Sequence, residues 1–233
     1  MKKKIVALSA ALLILTAISG TLAYTESSQS SETAMSTGNV HIEQIEKERI
    51  PGTNHLRAFS QNKYVEPAYF ADGQLKWSDT EQSWAEVSAP GSNRLYDNSV
   101  KNVIDKFVFV KNDGDKDLYY RTIIAIECPE GLDINLIGLN LNENSKFKWD
   151  DWGYKNINNK RYFVKVATYQ GKLIPGEVSI PSLLQIYLKP QTTNKDIELI
   201  GEEFDIIVRS QATPATDGVT PEEKLNDTYK DVL

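Results

Sequence analysis

Few side chains in this 233-residue chain have the types and spacing that catalysis requires. His41 and His55 are the two histidines, and no His-Glu-x-x-His motif is present to bind zinc. A Gly-x-Ser-x-Gly elbow for a serine nucleophile is also absent. Cys128, the single cysteine, stands before Pro129 with no histidine near it in sequence to act as a base. We therefore expect a protein that is not an enzyme, with Cys128 as a buried, unreactive thiol.

The best candidate for a metal site is the alternation of Asp113, Asp115 and Asp117. This spacing is similar to the start of an EF-hand calcium loop. Such a loop would continue with a glycine and end with a glutamate, at positions where this chain has Leu118 and Ile124. We interpret the three aspartates as solvated carboxylates of a turn, with weak calcium binding as the alternative. No cofactor or metal is expected.

The charge balance excludes several classes of partner. The chain has 26 Lys and Arg against 32 Asp and Glu, a net charge of −6 at pH 7. An acidic chain without basic clusters is poorly suited to nucleic acid or to anionic lipid surfaces. One cysteine allows no intramolecular disulfide, so a hydrophobic core must stabilise the fold.

The first 23 residues predict a secretory signal peptide. Lys2, Lys3 and Lys4 precede an apolar stretch at 5–18, and Thr21 and Ala23 are small residues at the cleavage positions before Tyr24. The apolar stretch is shorter than the ~20 residues of a membrane-spanning helix. Cleavage after Ala23 would remove three lysines and move the net charge from −6 to −9. We expect a secreted protein without stable membrane insertion, located in the extracellular matrix or at the cell surface.

Runs of aromatic and β-branched residues predict a series of strands in the rest of the chain. Residues 103–127 should form a β-hairpin around the turn sequence KNDGDKD, because apolar runs flank it on both sides. Residues 149–169 should form a second hairpin with its turn at 156–159. Further strands are predicted at 40–45, 134–141, 182–188 and 203–210, with one or two near 64–70 and 75–77.

Strands at regular spacing without intervening helices predict an all-β fold, a jelly-roll-like β-sandwich with long loops. Near the C-terminus, Thr220, Pro221 and Glu223 form a capping-box pattern that predicts a short helix. This helix would pack on the domain or contact a neighbouring subunit. The predicted organisation is a signal peptide at 1–23, a flexible segment at 24–37, a sandwich at 38–212 and a tail with a helix at 213–233.

Four stretches resemble the TasA and camelysin type of Gram-positive biofilm-matrix protein, including its clostridial fibre-forming relatives. At the N-terminus, GTLAY, a Ser/Thr/Glu-rich spacer and TGNVHI are similar to the signal-peptide region that a dedicated signal peptidase processes. Thr25 and Glu26 depart from that pattern, since they replace its second aromatic residue. The other matching stretches are FVFVKNDGDKDLYYR at 107–121, LIPGEVS at 173–179 and FDIIVRSQA at 204–212.

The resemblance implies a secreted structural subunit that polymerises with itself into extracellular fibres. A co-secreted anchor or assembly protein is a second expected partner. In such fibres an N-terminal segment can add a strand to the next subunit, and head-to-tail contacts of this kind produce filaments. The candidate assembly strand comprises Tyr24, Thr25, Ala34, Met35, Val40 and Ile42. The alternative is an ordinary leader before the first strand, without a role in assembly.

A second class of function remains open, because sandwiches of this kind serve many purposes. A monomeric cell-surface module could bind a carbohydrate or a host protein. Trp77, Trp84, Trp149 and Trp152 could form a sugar-binding face, or they could anchor the core and the loops. Two or three exposed tryptophans on one face would favour the binding module.

Overall fold

A computed structural model of the chain describes residues 40–50, 55–60, 95, 103–201 and 204–230 with their side chains. It describes six further short strands by their backbone alone, which pair as Lys3–Ile5 with Lys63–Val65, Ala23–Tyr24 with Met35–Ser36, and Leu75–Ser78 with Ser83–Glu86. The rest of the signal-peptide and N-terminal predictions, and most of residues 61–102, lie outside the described residues.

The main strands, numbered along the chain, are β1 (Ile42–Arg49), β2 (Leu56–Ala58), β3 (Val103–Asp105), β4 (Phe107–Asn112), β5 (Leu118–Glu127), β6 (Ile137–Leu141), β7 (Phe147–Ile157), β8 (Lys160–Tyr169), β9 (Leu183–Leu188) and β10 (Ile206–Pro214). A 3-10 turn at Ile134–Leu136 leads into β6. The helices are α1 (Asn194–Ile200) and α2 (Pro221–Thr228).

The strands form two antiparallel layers. The second layer is the four-stranded sheet β7-β8-β5-β10. The first layer consists of two three-stranded sheets, β4-β1-β2 and β6-β9-β3. Only Lys106 separates β3 from β4, so the chain passes directly from one sheet to the other. The amide of Lys106 donates to Leu184 O at 2.9 Å, and Ser182 N donates to Val108 O at 2.9 Å, so pairing continues across the junction.

The core lies between these layers. One cluster fills one half of the interior, with residues such as Val108, Ile124, Ile186 and Ile206 from both layers. A second fills the other half, where Tyr120 stacks on Tyr169 with ring centroids 5.0 Å apart. The chain changes layer after β4, β5, β6, β8 and β9. The prediction of an all-β, jelly-roll-like sandwich is therefore confirmed.

The predicted hairpin at 103–127 is wrong in its pairing, although its strands are where they were expected. β4 pairs with β1 in the first layer, and β5 pairs with β8 and β10 in the second. Asn112, which is completely buried, fixes the crossing between the layers. Its Nδ2 donates to Lys116 O and to Leu173 O, each at 2.8 Å, and its Oδ1 accepts from Gly114 N at 3.0 Å. The turn sequence therefore makes an arch from one layer to the other.

The second predicted hairpin is confirmed. β7 and β8 pair along their whole length, from Phe147 opposite Tyr169 to Ile157 opposite Lys160. Asn158 and Asn159 form the two-residue turn at φ values of 49° and 64°. Asparagine tolerates this left-handed region, and two such residues in a row suit the tight turn of a hairpin.

The other predicted strands differ from the observed ones mainly at their ends. The prediction at 40–45 corresponds to β1 and the one at 182–188 to β9, while β10 begins three residues later than 203 and extends to Pro214. Residues 134–141 divide into a 3-10 turn and β6. The backbone strands Lys63–Val65 and Leu75–Ser78 lie near the two predictions for that region.

The C-terminal helix is confirmed and packs on the outer face of the second layer. Thr220 and Glu223 form the predicted capping box at its start. Leu225 and Tyr229 are buried against Tyr119 of β5, and Tyr229 Oη donates to Ala212 O at 2.6 Å. Of its two predicted roles, packing on its own domain is the one observed.

Candidate functional site

The first strand meets the last strand along one side of the sandwich, in a region we call the N-terminal seam. It comprises Val40, Ile42, Gln44, Val208, Ser210 and Ala212. Gln44 Nε2 donates to Val208 O at 3.2 Å, and Ser210 Oγ donates to Gln44 Oε1 at 2.9 Å. Gln44 and Ser210 are almost completely buried, and Val40, Ile42 and Ala212 belong to one core cluster. A buried side-chain amide thus closes part of the open edge of β10.

The candidate assembly strand continues from this seam towards the N-terminus. Met35–Ser36 lies next to β10 and pairs with Ala23–Tyr24, with Tyr24 opposite Met35. Val40 is 1% exposed and Ile42 is 0% exposed, so both are core residues of their own subunit. Thr25 and Ala34 lie outside the described residues. The structure therefore places Met35, Val40 and Ile42 on the side of the sandwich where β10 lies, with Val40 and Ile42 in the core.

The opposite edge of the second layer is protected against pairing. β7 has a bulge between Asp151 and Gly153, where Gly153 has φ +72°. Four charged residues lie on this strand, namely Lys148, Asp150, Asp151 and Lys155. Bulges and charges are the usual means by which an edge strand avoids unwanted partners. Strand addition at this sheet is consequently better suited to the β10 side.

The two tryptophans with described side chains anchor different parts of the sandwich. Trp149 is partly buried against the core, and its Nε1 donates to Asn142 O at 2.9 Å. Trp152 packs on the outer face, where the Arg121 guanidinium lies 4.7 Å from its ring. Because the two rings lie on opposite faces, they do not form a joint sugar-binding surface. For Trp77 and Trp84 the structure describes only that they are opposite each other in a two-stranded ribbon.

A mixed polar cluster occupies the end of the sandwich at which β5 ends and β8 begins. Lys160 Nζ lies 3.0 Å from Glu127 Oε2 and 2.7 Å from Asp205 Oδ2, and the Asp205 amide donates to Glu127 at 2.9 Å. Burial opposes the charge of Lys160, but the hydrogen bonds to Asp205 and Glu127 outweigh it and raise its pKa. Burial, together with the charges of Asp205 and Glu127, raises the pKa of Tyr162 to about 12.

A cleft of about 960 Å³ opens beside this cluster. Its walls are the turn at 129–133 and the β7–β8 turn, with Glu127 and Lys160 between them. We call it the end cleft. No sequence motif indicated that these residues form a cleft, because they are ordinary polar residues of two turns that are distant in the sequence.

Arg121 is a buried cation that interrupts the apolar strand β5. It is 2% exposed, and burial lowers its pKa to about 10. Its Nε donates to Gln211 Oε1 and its Nη1 donates to Asn226 Oδ1, each at 2.7 Å. Trp152 and Tyr229 flank the guanidinium. These contacts tie α2 to the sheet and give Arg121 a structural role.

The residues considered first for chemistry are separate from one another. His41 and His55 are exposed, and Cys128 is completely buried, with burial raising the pKa of its thiol as expected for an unreactive cysteine. Asp113 pairs with Lys111 at 2.7 Å, which lowers the pKa of that carboxyl. Within the described ranges, no group of three or more histidine, cysteine and acidic residues is arranged to hold a metal ion.

Comparison with known proteins adds no identification, since no protein-family model, curated protein or solved structure matches the chain. In the parts of the chain that the structure describes, none of the helices is both long enough and apolar enough to cross a bilayer.

Proposed function

We propose that this protein is a secreted subunit of extracellular biofilm-matrix fibres, which assemble when the N-terminal segment of one subunit adds to the sheet edge of another. The observation that best supports this is the position of Met35–Ser36 next to β10. Met35–Ser36 pairs with Ala23–Tyr24 and lies beside β10, so the segment is already within reach of that edge strand in its own subunit. The same strand in a neighbouring subunit offers the same backbone groups.

Exchange of this segment would leave each core intact. Val40 and Ile42 belong to the core, so the proposed exchange involves residues up to Asn39 and none of the described core residues. Residues 25–39 contain no proline, so every residue of this stretch has a backbone amide for strand pairing. Since the exchanged contacts are the same within and between subunits, protein concentration decides which form is populated.

The direction of the contacts favours filaments over closed dimers. The donor segment and the acceptor edge are different surfaces of the subunit, so each subunit can donate to one neighbour and accept from another. Such heterologous contacts continue without limit unless a rotation closes them into a ring. The bulged and charged β7 edge would keep the filament from growing sideways through this sheet.

Two truncated proteins test the proposal. Residues 24–233 and residues 38–233 are concentrated and compared by light scattering and negative-stain electron microscopy. A third protein, in which residues 24–37 are replaced by a Gly-Ser linker of equal length, controls for the length of the leader. We expect filaments from residues 24–233 alone.

The other outcomes separate the two parts of the proposal. Filaments from all three proteins would show that fibres form without strand addition by residues 24–37. If none of the three assembles, the fibre proposal itself is wrong, and the monomeric binding module becomes the better explanation.

A further inference from the structure

We propose that the end cleft binds an uncharged saccharide. This inference goes beyond fibre assembly and does not depend on it, because no residue of the N-terminal seam lines the cleft. β5 begins at Leu118, near the arch, and ends at Glu127, at the cleft. Ten residues of extended strand separate these ends by about 30 Å.

The shape of the cleft suits a small ligand. Its volume of about 960 Å³ leaves room for a small ligand, and the cleft is open to solvent with a mainly polar lining, unlike the enclosed apolar sites of most small molecules. One wall is the turn at 129–133, where Gly131 has φ +88°. The facing wall is the tight β7–β8 turn, which the paired strands on either side hold in place. Both walls are therefore defined by backbone geometry.

Several polar groups of the cleft are available to a ligand. The side chains of Glu130, Asn156, Asn159 and Arg161 line it, and none of the four makes a hydrogen bond or ion pair within the described part of the chain. The carboxylate can accept hydrogen bonds, the guanidinium can donate them, and the two amides can do both. Sugar hydroxyls both donate and accept, so a saccharide can use all four groups.

The charges of the cleft favour a neutral ligand. Its lining includes the carboxylates of Glu127, Glu130 and Asp133 and the cations Lys160 and Arg161, which leaves one excess negative charge. Lys160 is already committed to Glu127 and Asp205. An acidic saccharide would therefore meet a net repulsion, whereas a neutral one would not.

Arg161, which lines the cleft, is held in place by an aromatic side chain behind it. The Arg161 guanidinium lies 3.7 Å from the centroid of the Tyr154 ring, and Phe163 supports that ring edge-on at 5.2 Å. Tyr154 is 44% exposed, a large fraction for an aromatic side chain held in this way. The stacked guanidinium is therefore already oriented, so little conformational freedom is lost when it donates to a sugar hydroxyl.

The test uses saturation-transfer NMR and calorimetry on the full chain. The probes are cellotetraose, tetra-N-acetylchitotetraose and maltotetraose as neutral tetrasaccharides, with tetragalacturonate as the charged comparison. We expect at least one neutral tetrasaccharide to bind at millimolar concentration, and to bind more tightly than tetragalacturonate. Absence of binding by all three neutral probes would overturn the proposal, and tighter binding of tetragalacturonate would overturn the choice of an uncharged ligand.

A pair of charge-matched double variants locates the site. Glu130→Ala with Arg161→Ala removes one acid and one base from the cleft, and Asp115→Ala with Lys116→Ala removes one of each at the other end of the sandwich. We expect the first variant to weaken binding at least about tenfold and the second to change it less than about twofold. Equal effects of the two variants would show that the saccharide binds elsewhere. Because the first variant also removes a contact of Tyr154, Glu130→Ala alone, an exposed site, must weaken binding as well.

Discussion

At the scale of single residues, Lys160 is the side chain on which the end of the sandwich depends most. Lys160→Met keeps the aliphatic stem but leaves Glu127 and Asp205, whose side chains are 10% and 12% exposed, without their cation. We expect the free energy of unfolding at pH 7 to fall by about 1–2 kcal/mol, less than for a fully buried pair because Lys160 itself is 41% exposed. Urea denaturation measures the change, and Lys172→Met, in an exposed pair with Asp217, is a control that should change little.

The pH dependence of that difference has a definite sign. Despite opposing burial, bonds to Asp205 and Glu127 raise the pKa of Lys160 above its ordinary value of 10.5. The stability that the ammonium contributes is therefore complete below pH 10.5 and is lost as the pH rises through the folded-state value. The difference between the wild type and Lys160→Met should be constant at neutral pH and shrink above pH 10.5. A difference that stays constant into that alkaline range would contradict this account.

A second prediction at this scale concerns the contribution of Asn112 to stability. Asn112→Ala removes the amide that joins β4, the arch and Leu173. Lys116 O and Gly114 N lose these bonds, whereas Leu173 O keeps its bond from Leu118 N at 3.1 Å. We expect the free energy of unfolding to fall by about 1–3 kcal/mol, from the two groups that lose their partner. Asn144→Ala, which removes a bond to the Lys146 amide at an exposed turn, is the matched control. Thermal unfolding that is equally affected in both variants would show that the arch does not depend on Asn112.

At the scale of elements, α1 and α2 can be compared directly, because both begin with a threonine capping box. Thr220 accepts from Glu223 N at the start of α2, and Thr193 accepts from Asp196 N at the start of α1. Thr220→Ala should destabilise α2 by about 1 kcal/mol. Hydrogen exchange should then accelerate at Glu223 and Lys224 and stay unchanged in α1, with the reverse for Thr193→Ala. Faster exchange in both helices from either variant would mean that they do not open independently.

The elements also show which features can be read from the sequence. The β7–β8 hairpin and α2 were predictable because local chemistry decides them, through two asparagines in the turn and a capping box with proline. The same capping pattern starts α1 at Thr193 and Asp196, but a seven-residue helix contains too few turns for a periodic apolar face. The placement of β4 and β5 in different layers could not be predicted from the sequence. Asn112 stabilises the arch between them through a contact with Leu173, which is distant in the sequence.

The candidate sites differ in the same way. Val40, Ile42 and Met35 could be named from the sequence because they are contiguous with the polar leader. The end cleft could not, since its groups come from two turns that only the folded sandwich brings together. Lys160 gave no signal either, because its carboxylate partners belong to β5 and to the residue before β10.

At the scale of the whole molecule, net charge should control association. The chain has a net charge of −6 and a pI of about 5.1, so subunits repel one another at neutral pH. Light scattering should rise as the pH falls from about 8 towards the pI of about 5.1, because protonation of carboxylates reduces that repulsion. Added salt at the higher pH should act in the same direction by screening. Light scattering that changes with neither pH nor salt would show that charge repulsion does not limit assembly.

The position of β10 in the second layer has a consequence for the time course of folding. β5, at the centre of that layer, needs β10 as one of its two neighbours, and β6, β7, β8, β9 and α1 all come between them along the chain. The layer cannot close until nearly the whole polypeptide has been made. Pairings between such distant segments close large loops and slow the folding reaction. A newly synthesised chain should therefore remain open until its last strand emerges, and refolding from urea should be slow for a protein of this size.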